Sequence, residues 1–426
     1  MTQQPTAEPE TSDCADGLLA RSSLRDYYDA RTVAVRAGRL HNDTALAPVL
    51  WGSAAYVADS FEAARQYAGD VTEPKFYGRN SNPTVSDFEH AMAELEGAEA
   101  SRAFASGMGA VSSVVLALCS AGDHVVAQSQ IYSHTQLFLQ AVCPRFGIDA
   151  TFVDGADSEA FQAAVIPGKT TLVIAESPAN PKLALVDLES FGAIKGPVTV
   201  VDSTLATPIA QRPLGYGVDL VVHSATKAIA GHNDAILGVV SGSDDLIAWI
   251  RGFAILHGAV ASPFDALNGL RGIRTLPIRV RQQADTALAL AQMLESHPAV
   301  KAVFYPGLES HPQFELAQRQ LDLPGGLVTF DLAGGLEAAV GFIDRLQLVQ
   351  RATSLGGPET LVTHPASTTH VGLLPTELAA AGIEEGTIRI SCGLEHADDL
   401  IADLTRALAP LGRRATGPAK PIPSGQ

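Results

Sequence analysis

Five short apolar runs succeed one another through the middle of the chain: HVVAQ (124–128), ATFVDG (150–155), TTLVIAES (170–177), VTVVDST (198–204) and DLVVHSA (219–225). Each is shorter than a typical helix and ends on polar or turn-forming residues, so each reads as a buried strand. Such runs lack the polar alternation of a sheet with one wet face, which points to burial on both sides. The segments between them are helical or turn-like, as parallel crossovers require. The pattern predicts an α/β chain whose mostly parallel sheet is covered by helices. Ahead of that sheet, DFEHAMAELEGAEA (87–100) has helical spacing, and VSSVVLALCSAG (111–122) reads as a buried helix closing at Gly122.

After about residue 250 the rhythm changes. In ALNGLRGIRTLPIRV, Pro277 breaks or kinks a helix, and RVRQQADTALALAQMLESHP runs helical toward Pro298. Strand candidates AVFYP (302–306), GGLVTFDLA (325–333) and GTIRISCGL (386–394) each lead toward a helix-like segment. The last of these, HADDLIADLTRALAPL, carries acidic residues in its first turn, where the helix dipole favours them. This half reads as a smaller α+β domain. The expected organisation is a flexible tail and N-terminal arm over 1–75, a large domain over 76–270, the α+β domain over 271–412 and a second tail over 413–426.

With 46% apolar and 18% charged residues among 426, the chain is too apolar for disorder and can bury substantial cores. A net charge of −17 argues against nucleic acid or an anionic membrane surface as the main partner. Any anionic ligand must therefore be met by a local cluster of donors. Cys14, Cys119, Cys143 and Cys392 are far apart with no CxxC spacing, which suggests neither a disulfide framework nor a zinc site. The start lacks the order of a signal peptide, and no apolar run is long enough for a bilayer. The expected location is the cytoplasm.

In open α/β sheets, ligands bind beyond the carboxyl ends of the strands. Glu176, Asp202 and the group Ser224, Thr226 and Lys227 all fall at such ends. Lys227, in HSATKAIAGH, is one of seven lysines against twenty-two arginines, and its neighbours are small, apolar or hydroxylic. By itself it would pass as a surface lysine after a strand, and Asp202 as a turn cap. Adjacent parallel strands would bring the two into one crevice. ASGMGAV (105–111) puts small residues before a helix, whose free amides could hold a phosphate. As a dinucleotide fingerprint it is weak, because it lacks the third glycine and does not close a leading strand–turn–helix unit with an acid about twenty residues on. An amine, a carboxylate and a phosphate cradle together suit pyridoxal phosphate: the amine bonds its aldehyde, and the carboxylate keeps its ring nitrogen protonated. Tyr132, in QIYSHTQLFL, is the leading candidate to stack on the ring.

With these segments in view, the chain resembles the trans-sulfuration, or Cys/Met metabolism, family of pyridoxal-phosphate enzymes over roughly 33–410. The resemblance is carried by FYGRNSNPT, ASGMGAV, AESPANP, VDSTLATP, VHSATK followed by AGH, SPFDA with RGIRTL, TSLGGPETLVTHPASTTH and IRISCGLE, in the family's order. It implies the aspartate-aminotransferase-like fold (fold type I) and a homotetramer whose active sites are shared between subunits. By the same resemblance, Lys227 carries the cofactor, Asp202 partners its ring nitrogen, and Tyr132 stacks on the ring and moves a proton at the leaving group. Asn180 would bond the ring oxygen, Gly107 and Met108 would give backbone amides to the phosphate, and Ser224 and Thr226 hydroxyls. Tyr77 and Arg79 resemble residues that reach the phosphate of a neighbouring subunit's cofactor. Arg389 would clamp the substrate carboxylate with help around Ser354. His134, His364 and His370 match no standard metal-ligand spacing, and no metal is expected.

The implied chemistry lies at Cγ of an L-amino acid. The leading expectation is γ-elimination of methionine, homocysteine or cystathionine to a 2-oxo acid, ammonia and a thiol. The alternative is γ-replacement, in which an activated homoserine or a vinylglycine-type intermediate meets a thiol or carbon nucleophile. A cofactor-binding protein without turnover is the remote third reading, opposed by the intact Lys227, Asp202, Tyr132 and Arg389. Several positions depart from the family. Thr353 stands where enzymes that handle cystathionine usually carry a glutamate, and Ser133 and His134 replace small residues or a cysteine after the stacking tyrosine. Leu205 and Ala228 replace aromatics. The substrate end of the site, with Thr353, Ser354, His134 and Arg389, is therefore expected to be non-standard.

Overall fold

The computed structural model describes residues 23–411 apart from residue 373. The expected tail over residues 1 to about 20, Cys14 and the expected tail over 413–426 lie outside the described residues. Seven strands make the first sheet: β1 (Ala100–Phe104), β2 (His124–Gln128), β3 (Asp149–Val153), β4 (Thr170–Glu176), β5 (Val198–Asp202), β6 (Leu220–His223) and β7 (Gly238–Gly242). They lie in the order β1-β7-β6-β5-β4-β2-β3. The five runs read as strands are the five parallel ones, β2 to β6. Strand β7 runs antiparallel to both β6 and β1, so the parallel core carries an antiparallel edge. Alternate residues supply opposite faces, as the two-residue period of a strand requires. Leu172, Ile174, Val200, Leu220 and Val222 pack into one apolar cluster, and Val173, Ala175 and Val201 into another.

Helix α1 (Pro83–Glu96) covers part of the second face, and its buried Phe88 and Met92 share a cluster with Ala103 and Val239. Asn82 caps it by accepting from the amides of Thr84 and Val85, with proline at the first turn where no amide is needed. Helix α2 (Gly107–Leu118) covers the first face together with α3 (Asp244–His257). It starts four residues before the expected 111, because the Ser106 side chain caps it by accepting from the Gly109 amide. It also ends earlier: Cys119 is already extended, and Gly122, at φ +100°, belongs to the turn into β2.

The expected break at Pro277 separates α4 (Pro263–Ile273) from α5 (Leu276–Glu295), which places the proline in the first turn of α5. Beyond it lies a second sheet built from β8 (Val300–Phe304), β9 (Leu327–Leu332), β10 (Gln350–Arg351), β11 (Leu361–Thr363) and β12 (Thr387–Ser391), in the order β10-β11-β12-β9-β8. Its strands run antiparallel except β10 with β11. One apolar cluster joins it to α5, α6 (Gly335–Arg345) and α7 (Ala397–Leu408), and Asp398 and Asp399 occupy the first turn of α7. No helix among the described residues is long and apolar enough to cross a membrane.

Candidate active site

Parallel pairing puts the ends of β4, β5 and β6 side by side. Glu176 sits directly opposite Asp202, and Asp202 opposite Val222, so two carboxyls meet one residue-turn from Ser224 and Lys227. Around them opens a cleft of about 520 Å³, lined also by the start of α2, by Tyr132 and by Ser354 and Arg389 from the second half of the chain. Burial pushes the Lys227 ammonium below the ordinary lysine range, with the Arg389 charge adding to the effect. Its Nζ donates to Ser354 Oγ at 3.0 Å. Burial raises both carboxyls, and at Glu176 the neighbouring Asp202 adds to the effect. Asp202 accepts from the Thr204 amide at 3.0 Å and its hydroxyl at 2.5 Å, while Glu176 accepts from the amides of Tyr132 (2.6 Å) and Asn180 (2.9 Å). The second carboxyl thus fixes the turns that carry Tyr132 and Asn180.

The N-terminus of α2 closes one wall. Gly107 and Met108 are its first residues, and a Cβ on Gly107 would lie 2.7 Å from that of Ser224. Only glycine lets the helix amides approach the Ser224 hydroxyl so closely. Thr226 lines the same wall, but its hydroxyl donates to the Leu237 carbonyl and accepts from the Leu237 amide. Behind Lys227, the buried Arg279 donates to the carbonyls of Ala228, Ile229 and Gly272, holding the lysine turn in place.

Arg389, in the middle of β12, is almost wholly buried and spans the two halves. It donates to Asn180 Oδ1 at 2.8 Å and to the Ser354 carbonyl at 2.9 Å, and its Nε has no protein partner. Burial lowers it to about 10, which leaves it a cation at neutral pH. Ser354 holds φ +94°, a conformation that costs a non-glycine residue about 1–3 kcal/mol and collects at functional sites. The Tyr132 ring stacks on His134, with centroids 5.1 Å apart, and burial lifts the Tyr132 hydroxyl above the ordinary tyrosine range.

The cleft therefore brings together Gly107, Met108, Tyr132, His134, Asn180, Asp202, Ser224, Thr226, Lys227, Thr353, Ser354 and Arg389. It does not include Tyr77 or Arg79, which sit exposed elsewhere on the chain with the Arg79 guanidinium 5.0 Å from the Tyr77 ring centre. Ala228 does not line it either; that side chain turns into the cluster around α1, so its departure from the family does not touch the cleft. Among the histidines, His364 bonds Ser367 and the Glu385 carbonyl, and His370 bonds Thr369. Among the described residues no cluster could hold a metal. Sequence reasoning missed Ser106, Thr204, Thr368 and Thr369 in the lining, and Arg279 behind it. Small hydroxyl residues carry no pattern of their own, but Thr204 follows Asp202 by two residues, the spacing of an Asx turn.

The family model described as Cys/Met metabolism PLP-dependent enzyme matches residues 31–409. An L-methionine gamma-lyase of Pseudomonas putida is 44% identical over 370 residues, 85% of this chain and 92% of its own length. An O-succinylhomoserine sulfhydrylase of Pseudomonas aeruginosa is 42% identical over 385 residues, covering 89% and 95%. Among solved structures, cystathionine gamma synthase from Xanthomonas oryzae pv. oryzae, in complex with aminoacrylate and cysteine, aligns with a TM-score of 0.85 at 36% identity, over 90% of this chain and 98% of that one.

Proposed function

As a member of the Cys/Met metabolism family, the chain is a pyridoxal-phosphate-dependent enzyme of fold type I, and we propose that it performs γ-elimination on a sulfur amino acid. Methionine, homocysteine or cystathionine would give a 2-oxo acid, ammonia and a thiol. The observation that carries the reading is the convergence of a desolvated amine, a buried carboxylate pair and a buried arginine on one cleft. Several relatives named methionine gamma-lyase support elimination over replacement.

The residues fit the cofactor. The glycine-permitted approach of α2 to Ser224 offers helix amides and a free hydroxyl to a phosphate, and Thr226 holds that loop to Leu237. Asp202 would hold the ring nitrogen with its carboxylate, Tyr132 would stack on the ring and Asn180 would meet the ring oxygen, all three lining the one cleft. When bound, the cofactor supplies an aldehyde for the lysine and an electron sink for charge developing at Cα. Lys227, as a free amine easier to deprotonate than a surface lysine, takes the Cα proton. Tyr132 keeps its proton to higher pH and so can protonate the departing sulfur. Arg389 holds the substrate carboxylate with a planar fork already aimed by Asn180 and the Ser354 carbonyl.

The distal wall favours a second reading to the extent that His134, Thr353, Thr368 and Thr369 give it hydroxyl and imidazole groups. These suit an oxygen-rich γ-substituent such as an acylated homoserine, the substrate of a replacement enzyme. No carboxylate stands at Thr353 to meet a second amino group. The assembly is a homotetramer in which Tyr77 and Arg79 reach the site of a neighbouring copy, and free buried cysteines suit a reducing cytoplasm. A substrate panel read by mass spectrometry, with and without added thiol, tests the function. Release of a 2-oxo acid from a sulfur amino acid without any nucleophile is the expected result. Turnover only of activated homoserine plus a thiol would replace elimination with the second reading.

A further inference from the structure

Outside the cleft, one buried ionic cluster has no part in the chemistry so far. Glu89 of α1 lies between Arg102 of β1 (3.2 Å) and Arg251 of α3 (3.0 Å), and it also accepts from the Ala103 amide. Arg102 is only 2% exposed. One cation would satisfy Glu89, yet two are present, and a second buried charge is costly unless its other donors are used. Arg102 uses two of them on backbone, one guanidinium nitrogen donating to the Asn80 carbonyl at 3.2 Å and the other to the Arg79 carbonyl at 3.4 Å, while its Nε has no partner among the described residues.

Those carbonyls belong to a tight turn. The amides of Asn80 and Ser81 both return to the Tyr77 carbonyl, and Tyr77 bridges to Ala55. At its tip the Arg79 side chain is exposed, lies over the Tyr77 ring and makes no ion pair among the described residues. A free guanidinium on a loose turn would lose much conformational entropy on meeting an anion; fixing its backbone in advance removes part of that cost.

We propose that Arg102 is a positioning residue, which locks the 77–80 turn from beneath so that Arg79 is presented to the cofactor phosphate held by a second copy of the chain. The proposal rests on the shared-site reading of Arg79. It explains why an arginine stands at position 102: a lysine would neutralise Glu89 equally well but lacks the planar fork that reaches two carbonyls and a carboxylate at once.

Equilibrium dialysis of full-length holoenzyme, read as the dissociation constant of pyridoxal phosphate, tests it with Arg79→Ala, Arg102→Lys and the double variant. Arg79→Ala should weaken retention about tenfold, as loss of a charge-assisted contact does. Arg102→Lys should weaken it about three- to tenfold, and the double variant should be no weaker than Arg79→Ala, because both act through one contact. Wild-type affinity in Arg102→Lys, or a full added effect in the double variant, overturns the proposal. Wild-type affinity in Arg79→Ala instead removes the shared-site reading beneath it. If Arg102→Lys does not fold, Arg102→Gln, which leaves Glu89 paired with Arg251, is judged by the same outcomes.

Discussion

Lys227 and Arg389 are both cations taken out of water, and burial turns them to opposite uses. The lysine is pushed toward its neutral form, as the proposed role of base requires, whereas the arginine, lowered only to about 10, stays charged, as the proposed role of anchor requires. Arg389→Lys keeps the charge and loses the fork. Steady-state kinetics should show KM for the amino acid raised about tenfold or more, with a smaller fall in kcat; an unchanged KM would move the carboxylate elsewhere. His311 shows the same desolvation away from the cleft. It is buried, and burial lowers it from 6.5 to about 4. Above 6.5 neither folded nor unfolded chain protonates it, and it contributes nothing. Between 6.5 and about 4 the unfolded chain takes a proton that the folded chain refuses, so stability falls with pH through that window. Thermal melts should show this acid sensitivity in the wild type and a flatter dependence in His311→Gln.

Among the elements, the approach of α2 to the turn after β6 closes the end of the cleft proposed to hold the phosphate. A methyl group at Gly107 would lie 2.7–3.0 Å from three atoms of Ser224, including its backbone. Gly107→Ala should therefore force the helix away, at a cost of about 1–3 kcal/mol of overpacking, and weaken cofactor retention. Thermal melts and equilibrium dialysis would read both effects; unchanged retention would free the phosphate from α2. Strands β2 to β6 were legible because each holds a short, mainly apolar run, although β3 lies at the sheet edge with Asp149 and Thr151 exposed and is not buried on both sides as ATFVDG suggested. Their neighbours were not: ASRAF carries Arg102 at its centre, and GVVSG ends on two glycines and offers only two apolar side chains between them. Both belong to the antiparallel edge, whose pairing no local signal announces. Strand β10, two exposed residues long, has no pattern to read. Arg389 could be found early because a charge inside TIRIS demands a partner. The pairing of Glu176 with Asp202 could not, because it follows from the register of two strands.

For the whole molecule, the cleft exists because two sheets meet over it. Lys182 pairs with Asp331 at 2.6 Å, and Arg389 reaches Asn180, so the second sheet is tied to the loop beyond β4. That junction faces the carboxyl ends of the parallel strands, where a chain of this architecture concentrates its ligands. Against a net charge of −17, an anionic cofactor depends on the few donors gathered there. The scarcity of lysine makes the central claim easy to examine. The seven candidates are Lys75, Lys169, Lys182, Lys195, Lys227, Lys301 and Lys420, and among the described residues Lys227 is the one lysine that lines the cleft. Borohydride reduction of the holoenzyme, followed by proteolysis and mass spectrometry, shows which of them carries the cofactor. A single pyridoxyl adduct on Lys227 is the expected result; an adduct confined to any other lysine, or none at all on yellow enzyme, would contradict the account.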